Sequence, residues 1–368
     1  MSIIVNKSSI SESFKTNPIP TTQILPLDLR NLLSLPDSHT WPTSPVQPPP
    51  PSATIPVVDL GRPPHAVASA VRKASDEWGV FQVTNHGIPA TLLREAEFQA
   101  RRLFALPAEE KLAVVRSPDG IDGYGLARIS RFFAKQMWYE GFTIMGSPVR
   151  HARQLWPNDY ANFCNVMEEY QAQMKALSEK LLGLMFKSLG LAQDDIKWLH
   201  SKTNHHPPQA VLQLNSYPAC PDPAHAMGLA PHTDSSLITL LHQSSNATGL
   251  QISGDGGNLW IPVNPIPGAL TVNVGDLMHI ATNGRFKTAL HRAVVNMTRH
   301  RVSMAYFYGT PQEVKISPPM KLVDVDHPLL YQPVTWKEYL DAKGKYFNRA
   351  LEFIKCEALF IADRCRQL

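Results

Sequence analysis

The chain has 368 residues, 43% of them apolar, and a formal net charge of +4 spread without a dense Lys/Arg run. That length supports one large domain or two modest ones around a real core, and the charge pattern gives nucleic-acid binding little support. No apolar stretch approaches the roughly 18–20 residues that cross a bilayer, and Met1–Lys7 lacks a charged segment followed by an apolar one, so neither a membrane span nor a secretory leader is expected.

The four cysteines, Cys164, Cys220, Cys356 and Cys365, show no CxxC and no framework spacing. They read as thiols in a reducing compartment. The expectation is a monomeric cytoplasmic enzyme, with nuclear presence left open and an organellar transit segment as the weaker alternative.

Residues 1–54 are polar and proline-rich, ending in Pro48-Pro49-Pro50-Pro51. Such a tract favours polyproline II and resists packing, so it is expected to be an extended, flexible arm. Leu25 to Leu35 is an apolar patch within it that a short docked helix would use. Order is expected from the strand Ile55–Leu60. Pro63-Pro64 then opens a helix with Val67, Ala70, Val71, Ala74 and Trp78 on one face. Gly79–Thr84 reads as a strand, Asn85-His86-Gly87 as its turn, and Pro89–Leu106 as a second amphipathic helix. Residues 120–150 are irregular, rich in Gly, Arg and aromatics, and too long for a plain connector. A long helix runs from about Asp159 to Leu189, with a stripe including Phe163, Met167, Tyr170, Met174, Leu177 and Leu181.

From Ala210 to Gly309 the period changes to two. Val211–Tyr217, Leu237–His242, Asn258–Val263, Ala269–Val274, His291–Val295 and Val302–Tyr308 are short runs separated by turn residues. This spacing suggests a sandwich or double-sheet jelly roll. Thr335-Trp336-Lys337-Glu338 is a capping-box pattern that opens a C-terminal helical segment. The expected fold class is mixed α/β, of the α+β kind, with a helical and mixed N-terminal part wrapped around a β core. Its parts are the arm at 1–54, a helical and mixed region at 55–200, a catalytic core at 201–320 and a C-terminal segment at 321–368.

The chemistry concentrates in the β region. His232-Thr233-Asp234, with His291 further on, offers two imidazoles and a carboxylate, which leave half an octahedron open, as non-haem Fe(II) oxygen chemistry requires. In extended chain, His232 and Asp234 point to one side with alpha carbons about 6.6 Å apart. A turn at Val295–His300 would lay His291 opposite Ser303. Taken alone, His-x-Asp reads more readily as a hydrogen-bonded loop pair, and ligand identity does not separate iron from zinc. The arginine decides. Arg301 and Ser303 share a strand face, and a guanidinium fork takes a carboxylate bidentately. Asn215 and Tyr217, also two apart, have the groups to complete an anion pocket, although a core tyrosine with a satisfied hydroxyl fits equally. A dianionic 2-oxoacid would offset the charge of the ferrous site, fill two positions and leave one for dioxygen.

On these residues the chain resembles the plant 2-oxoglutarate/Fe(II) dioxygenases, from about residue 55 to the C-terminus. The likeness rests on Ile55–Leu60, Trp78–Gly87, Asn215-Ser216-Tyr217-Pro218, the His232/Asp234/His291 triad and Arg301-x-Ser303. Gly123–Phe133, Lys135–Trp138, Glu140–Ile144, Arg153–Pro157 and Ala305–Gly309 are similar to the gibberellin 3-beta-dioxygenases in particular. Arg131, Ala134, Thr310 and Ala281-Thr282 depart from that pattern.

The resemblance implies a distorted double-stranded β-helix, with His232, Asp234 and His291 as iron ligands and Tyr217, Arg301 and Ser303 on 2-oxoglutarate. It implies 3-beta hydroxylation of a gibberellin, with dioxygen as oxidant and ascorbate as a supporting reductant. A rigid apolar acid of that kind calls for an aromatic-lined pocket with basic anchors. Within the family-specific stretch, Arg128 and Lys135 are the expected anchors and Phe132, Phe133 and Trp138 the expected walls. Gibberellin oxidases acting at carbon 2 or carbon 20, another plant dioxygenase of this class, a zinc hydrolase and a non-catalytic hormone-binding module are the alternatives.

Overall fold

The computed structural model describes residues 10–42, 54–196, 208–244, 247–254, 256–257, 259–311 and 313–356. Among them the helices are α1 (Ile10–Thr16), α2 (Pro64–Glu77), α3 (Ala90–Ala105), α4 (Ala108–Leu112), α5 (Val149–Leu155), α6 (Tyr160–Ser188), α7 (Asp276–Ala281), α8 (Trp336–Tyr346) and α9 (Ala350–Phe353). The strands are β1 (Val57–Asp59), β2 (Val80–Thr84), β3 (Gly123–Gly125), β4 (Glu140–Ile144), β5 (Pro208–Tyr217), β6 (Leu229–His232), β7 (Ile238–Gln243), β8 (Leu250–Ser253), β9 (Trp260–Pro262), β10 (Leu270–Val274), β11 (His291–Ala293) and β12 (Arg301–Pro311).

The strands form two sheets. The larger runs β1-β2-β10-β7-β12-β5-β4-β3 and the smaller β6-β11-β8-β9, antiparallel throughout except for β1 beside β2. Residues of both sheets line one cavity between them, the arrangement of a distorted double-stranded β-helix. The large sheet is buried on both faces, so β7, β10 and the flanks of β12 carry apolar residues without clean alternation. Its outer face is covered by helix: α6 packs on β7 and β12, α3 on β12, and α2 on α6. The predicted stripe of α6 is the face it buries, with Phe163, Met167, Tyr170, Met174, Leu177 and Leu181 in the core. Pro64 starts α2 at a position whose N–H has no helical partner, and Val67, Val71 and Ala74 turn inward. At α8 the capping box is complete: Glu338 N–H donates to Thr335 Oγ1 at 3.1 Å, and Thr335 N–H to Glu338 Oε2 at 2.7 Å.

Three expectations are corrected here. Residues 10–42 do not form a loose arm. Ile10, Phe14, Ile19, Ile24 and Leu29 are buried, and Ser13 Oγ donates to Asp341 Oδ1 of α8 at 2.6 Å. The apolar side chains of α1, spaced four apart, outweigh the polar composition around them. Pro48–Pro51 lie outside the described residues. Leu25–Leu35 docks through Leu29 without forming a helix, leaving Leu33 exposed. Third, the stretch at 120–150 contains two strands. β4 pairs with β5 and β3 with β4, so the N-terminal region supplies both edges of the large sheet and shares one core with the jelly roll.

Candidate active site

His232 ends β6 and His291 begins β11, and the two are direct cross-strand partners. Asp234 follows in the turn after β6. The two Nε2 atoms lie 3.8 Å (His232) and 3.7 Å (His291) from Asp234 Oδ1, and one donor atom from each residue falls within 4.8 Å of the others. All three side chains are buried. Each ring is oriented the same way: His232 Nδ1 is 2.8 Å from Ala230 O and His291 Nδ1 is 2.9 Å from Ala289 O. A carbonyl only accepts, so Nδ1 carries the proton and Nε2 presents a lone pair to the centre. Burial and the neighbouring His291 push His232 down to about 3, so its ring is neutral and free to ligate. Burial alone would raise Asp234. The His291 and His232 rings, with hydrogen bonds from Thr239 and Asn273, hold it below its ordinary value as an anion. Asn273 Nδ2 donates to Asp234 Oδ2 at 3.3 Å and leaves Oδ1 facing the centre.

The loop between His232 and Asp234 is clamped from behind. Asp276 at the start of α7 is buried and accepts from Thr233 Oγ1 (2.9 Å), Thr288 Oγ1 (2.7 Å), Tyr339 Oη (2.7 Å) and Lys343 Nζ (2.5 Å). Lys343 also donates to the Thr233 carbonyl at 2.6 Å. Nothing in the sequence pattern pointed to this latch, because it joins three segments far apart in the chain.

The anion residues lie across the cavity on the large sheet. Arg301 pairs with Tyr217 and Ser303 with Asn215 between β12 and β5. The two sets of residues two apart are thus cross-strand neighbours on one face. The predicted approach of His291 to Ser303 in a hairpin does not occur. β11 pairs with β6 and β8, β12 with β5 and β7, and the chain crosses between sheets at Val295–His300. The two sets meet across the cavity instead. Arg301 is 2% exposed; its Nη2 donates to Gln243 Oε1 at 2.8 Å, while Nε and Nη1 have no partner. Its carbon Cζ sits 5.1 Å from the Tyr217 ring centre. Gly249 makes room for it: a Cβ there would come within 2.8 Å of Arg301 Cδ. Asn215 Nδ2 donates to Ser303 Oγ at 3.3 Å, and Tyr139 Oη to Asn215 Oδ1 at 3.0 Å. A buried guanidinium with two unfilled donors and no carboxylate fits a small dicarboxylate, as three convergent N/O donors fit a divalent iron.

The cavity holds about 290 Å³, at the small end of small-molecule sites. Ile10, Phe14, Ile129, Phe132, Leu340 and Phe347 form its apolar roof. Phe347 adopts φ +48°, uncommon for a bulky residue, and is held there by stacking on Phe132 at 4.7 Å and an edge contact with Phe133 at 5.5 Å.

Of the predicted substrate contacts, Arg128 and Phe132 line the cavity. Lys135, Phe133 and Trp138 do not. Lys135 Nζ donates to Asp37 O at 2.8 Å, Phe133 backs Phe347 and Trp41, and Trp138 is buried with Nε1 donating to Pro218 O at 3.1 Å. Lys135 and Trp138 were consumed in fastening residues 36–41 and the β5 end to the body. Sequence reasoning missed α1, Arg116 and α8 as cavity walls.

Residues 208–310 match the 2OG-Fe(II) oxygenase superfamily, and residues 55–163 the family described as non-haem dioxygenase in morphine synthesis N-terminal. Fold and site thus define the class, an oxygenase whose cofactors are Fe(II) and 2-oxoglutarate and whose substrate is a small molecule. Over 355 residues the chain is 50% identical to gibberellin 3-beta-dioxygenase 3 of Arabidopsis thaliana, covering 95% of this chain and 100% of that one. It is 47% identical to gibberellin 3-beta-dioxygenase 1 of Pisum sativum, over 94% of each. Among solved structures it is similar to JOX2 in complex with 2OG, Fe and JA, with TM-score 0.77 and 31% identity over 89% of this chain and 95% of that one. It is also similar to the Arabidopsis thaliana dioxygenase for auxin oxidation 1 in a binary complex with 2-oxoglutarate, with TM-score 0.63 and 27% identity over 75% of this chain and 100% of that one. The chain belongs to the gibberellin 3-beta-dioxygenase family.

Proposed function

We propose that this protein hydroxylates gibberellins at carbon 3 on the beta face, with Fe(II), 2-oxoglutarate and dioxygen, producing the bioactive hormones. The observation that carries this reading is identity of 50% to a gibberellin 3-beta-dioxygenase along nearly the whole of both chains. The apolar roofed cavity beside the His–Asp–His centre supports it, since a gibberellin is a rigid and largely apolar acid.

In this reading His232, Asp234 and His291 hold the iron, and Arg301, Ser303, Tyr217 and Asn215 hold 2-oxoglutarate. When bound, that pair of groups supplies the oxidising power of dioxygen to a C–H bond, with 2-oxoglutarate leaving as succinate and carbon dioxide. The protein's own residues do the rest. The carbonyls of Ala230 and Ala289 fix the ring tautomers, and Asn273 with Thr239 keeps Asp234 ionised. Arg301, whose Nε and Nη1 are without a partner, would hold a carboxylate of 2-oxoglutarate, with the Ser303 and Tyr217 hydroxyls beside it. The roof excludes water from the reacting carbon.

Among the described residues no helix is long and apolar enough to cross a membrane. The enzyme is read as a cytoplasmic monomer that engages neither membrane nor nucleic acid, with nuclear presence left open and ascorbate as supporting reductant.

The test is incubation of the purified enzyme with Fe(II), 2-oxoglutarate, ascorbate, oxygen and a gibberellin lacking the 3-hydroxyl. A 3-beta-hydroxylated product with matching succinate is expected. Products oxidised at carbon 2 or carbon 20 would replace this reading with those oxidases, and the absence of gibberellin-dependent succinate would remove it.

A further inference from the structure

The cavity contains a second cationic site that neither the metal nor 2-oxoglutarate explains. Arg116 is 4% exposed, lines the cavity, and follows α4 at the edge of the large sheet. Its backbone N–H donates to Tyr124 O at 2.8 Å and its Nη2 to Leu126 O at 2.9 Å, but Nε has no partner. Arg128 lies on the same wall, with Nη1 on Gly120 O (2.7 Å), Nη2 on Asn17 O (3.3 Å) and Cζ 3.9 Å over the Phe14 ring. Arg131 completes the group, donating to the Gly344 carbonyl. Among the described residues no carboxylate pairs with any of the three. Burial, then Arg116 and Arg131, push Arg128 down to about 9.

Three cations gathered against Phe14, Ile121 and Ile129 cost stability unless something anionic joins them. Carbonyl bonds and the Phe14 ring account for Arg128 as a structural residue. They do not account for Arg116, whose buried Nε is left without a partner.

That anion is not 2-oxoglutarate. Arg301 stands on β12, and Arg116 is bonded to β3 and the residue after it, three strands away in the order β12-β5-β4-β3. At about 4.8 Å per strand the backbones that carry the two arginines' contacts are roughly 14 Å apart. Four C–C bonds of about 1.5 Å give a five-carbon dicarboxylate a reach of only about 5–6 Å. The space between is walled by Tyr139, Gln213, Asn215 and Thr143, with Gly141 leaving room for the Tyr139 phenol.

We infer that Arg116, flanked by Arg128, is the subsite for the carboxylate of the substrate, fixing one end of a rigid apolar acid while its other end lies over the metal centre. This rests on the proposed function for the identity of the acid, but not for its chemical class.

The test uses the full chain, loaded anaerobically with Fe(II) and 2-oxoglutarate. Dissociation constants are measured for a gibberellin and its methyl ester, and for abietic acid and the corresponding alcohol. The wild type is expected to bind the gibberellin acid at least about tenfold more tightly than its ester. In Arg116→Gln, acid binding should weaken about ten- to a hundredfold while ester and 2-oxoglutarate binding stay within about twofold. Arg116→Lys should recover part of the loss.

Equal binding of acid and ester by the wild type, or an unchanged preference in Arg116→Gln, would overturn the inference. Should Arg116→Gln not fold, the wild-type ratio and its loss in Arg128→Gln decide the matter. Carboxylate-dependent binding without 3-hydroxylated product would sink the proposed function and leave the subsite standing. Hydroxylation with no preference for the acid would do the reverse.

Discussion

Replacing Arg301 by Met separates a ligand-binding arginine from a structural one. The substitution keeps an apolar stem of similar length and removes the charge. In the wild type the guanidinium is buried with no carboxylate beside it among the described residues, and its Nη2 donates to the neutral Gln243. Removing an unpaired buried cation does not cost what breaking a buried ion pair does, so the ligand-free variant should melt no lower than the wild type.

Binding should suffer instead. Charge-assisted hydrogen bonds contribute about 1.5–3 kcal/mol each, so losing even one strong bond of the fork should weaken 2-oxoglutarate by about 2.7 kcal/mol, roughly a hundredfold. At a concentration a hundred times its wild-type Kd, 2-oxoglutarate stabilises the wild type by about 2.7 kcal/mol and such a variant by about 0.4 kcal/mol. An unfolding entropy of about 2.1 cal/mol/K per residue gives roughly 0.8 kcal/mol/K for 368 residues. The corresponding rises in Tm are about 3.5 °C and about 0.5 °C. The assay is thermal unfolding under argon with Mn(II) in place of iron, with and without 2-oxoglutarate. A ligand-free variant that melts several degrees lower, yet still gains the full shift from 2-oxoglutarate, would make Arg301 a structural residue and refute the reasoning.

Four further outcomes are expected. His232→Ala or Asp234→Ala should abolish iron binding and substrate-dependent succinate formation together; retained succinate in either purified variant would defeat the ligand assignment. Asn273→Ala, which removes the bond to Asp234 Oδ2, should lower iron affinity by about 10–100-fold in a metal titration while 2-oxoglutarate affinity holds. Lys343→Met leaves Asp276 charged and buried without its cation, and should cost about 3–5 kcal/mol in urea unfolding, partly restored by adding Asp276→Asn. Burial holds His242 down to about 4 although Glu97 pulls it upward. The unfolded chain therefore takes up that proton first, and stability falls as pH drops from about 6.5 to 4, by about 3 kcal/mol from this residue. His242→Leu should flatten that limb in urea midpoints measured across the range, and an unchanged slope would show that His242 is not its source.

The His232–Asp234–His291 cluster was legible because its chemistry is written in residue types. Two imidazoles, a carboxylate and a strand arginine two residues from a serine are a rare combination, and period-two patterning placed them on strands. Which strands would pair was not legible. Alternation says that His291 and Ser303 lie on strands, but not that the chain changes sheets between them, so a hairpin was inferred where a crossover occurs. β3 escaped because Gly123 and Gly125 carry no β preference, and pairing with β4 imposes the strand from outside. The roof escaped for a related reason. Ile10 and Phe14 are four apart, a signal that was present, but it was outvoted by the proline and serine around it. Arg116 looks like any surface arginine beside a turn, and only the fold reveals that it is buried.

The roof has one consequence for how such an enzyme changes over time. The His–Asp–His cluster and the Arg301 group sit on or beside β5, β6, β11 and β12, whereas much of the remaining cavity wall comes from α1, the Arg116–Phe132 stretch and α8. Ser13 and Asp341, drawn from opposite extremes of the described chain, are hydrogen-bonded to each other in that outer layer. Edits to those peripheral segments can therefore reshape the cavity while the His–Asp–His cluster stays constant.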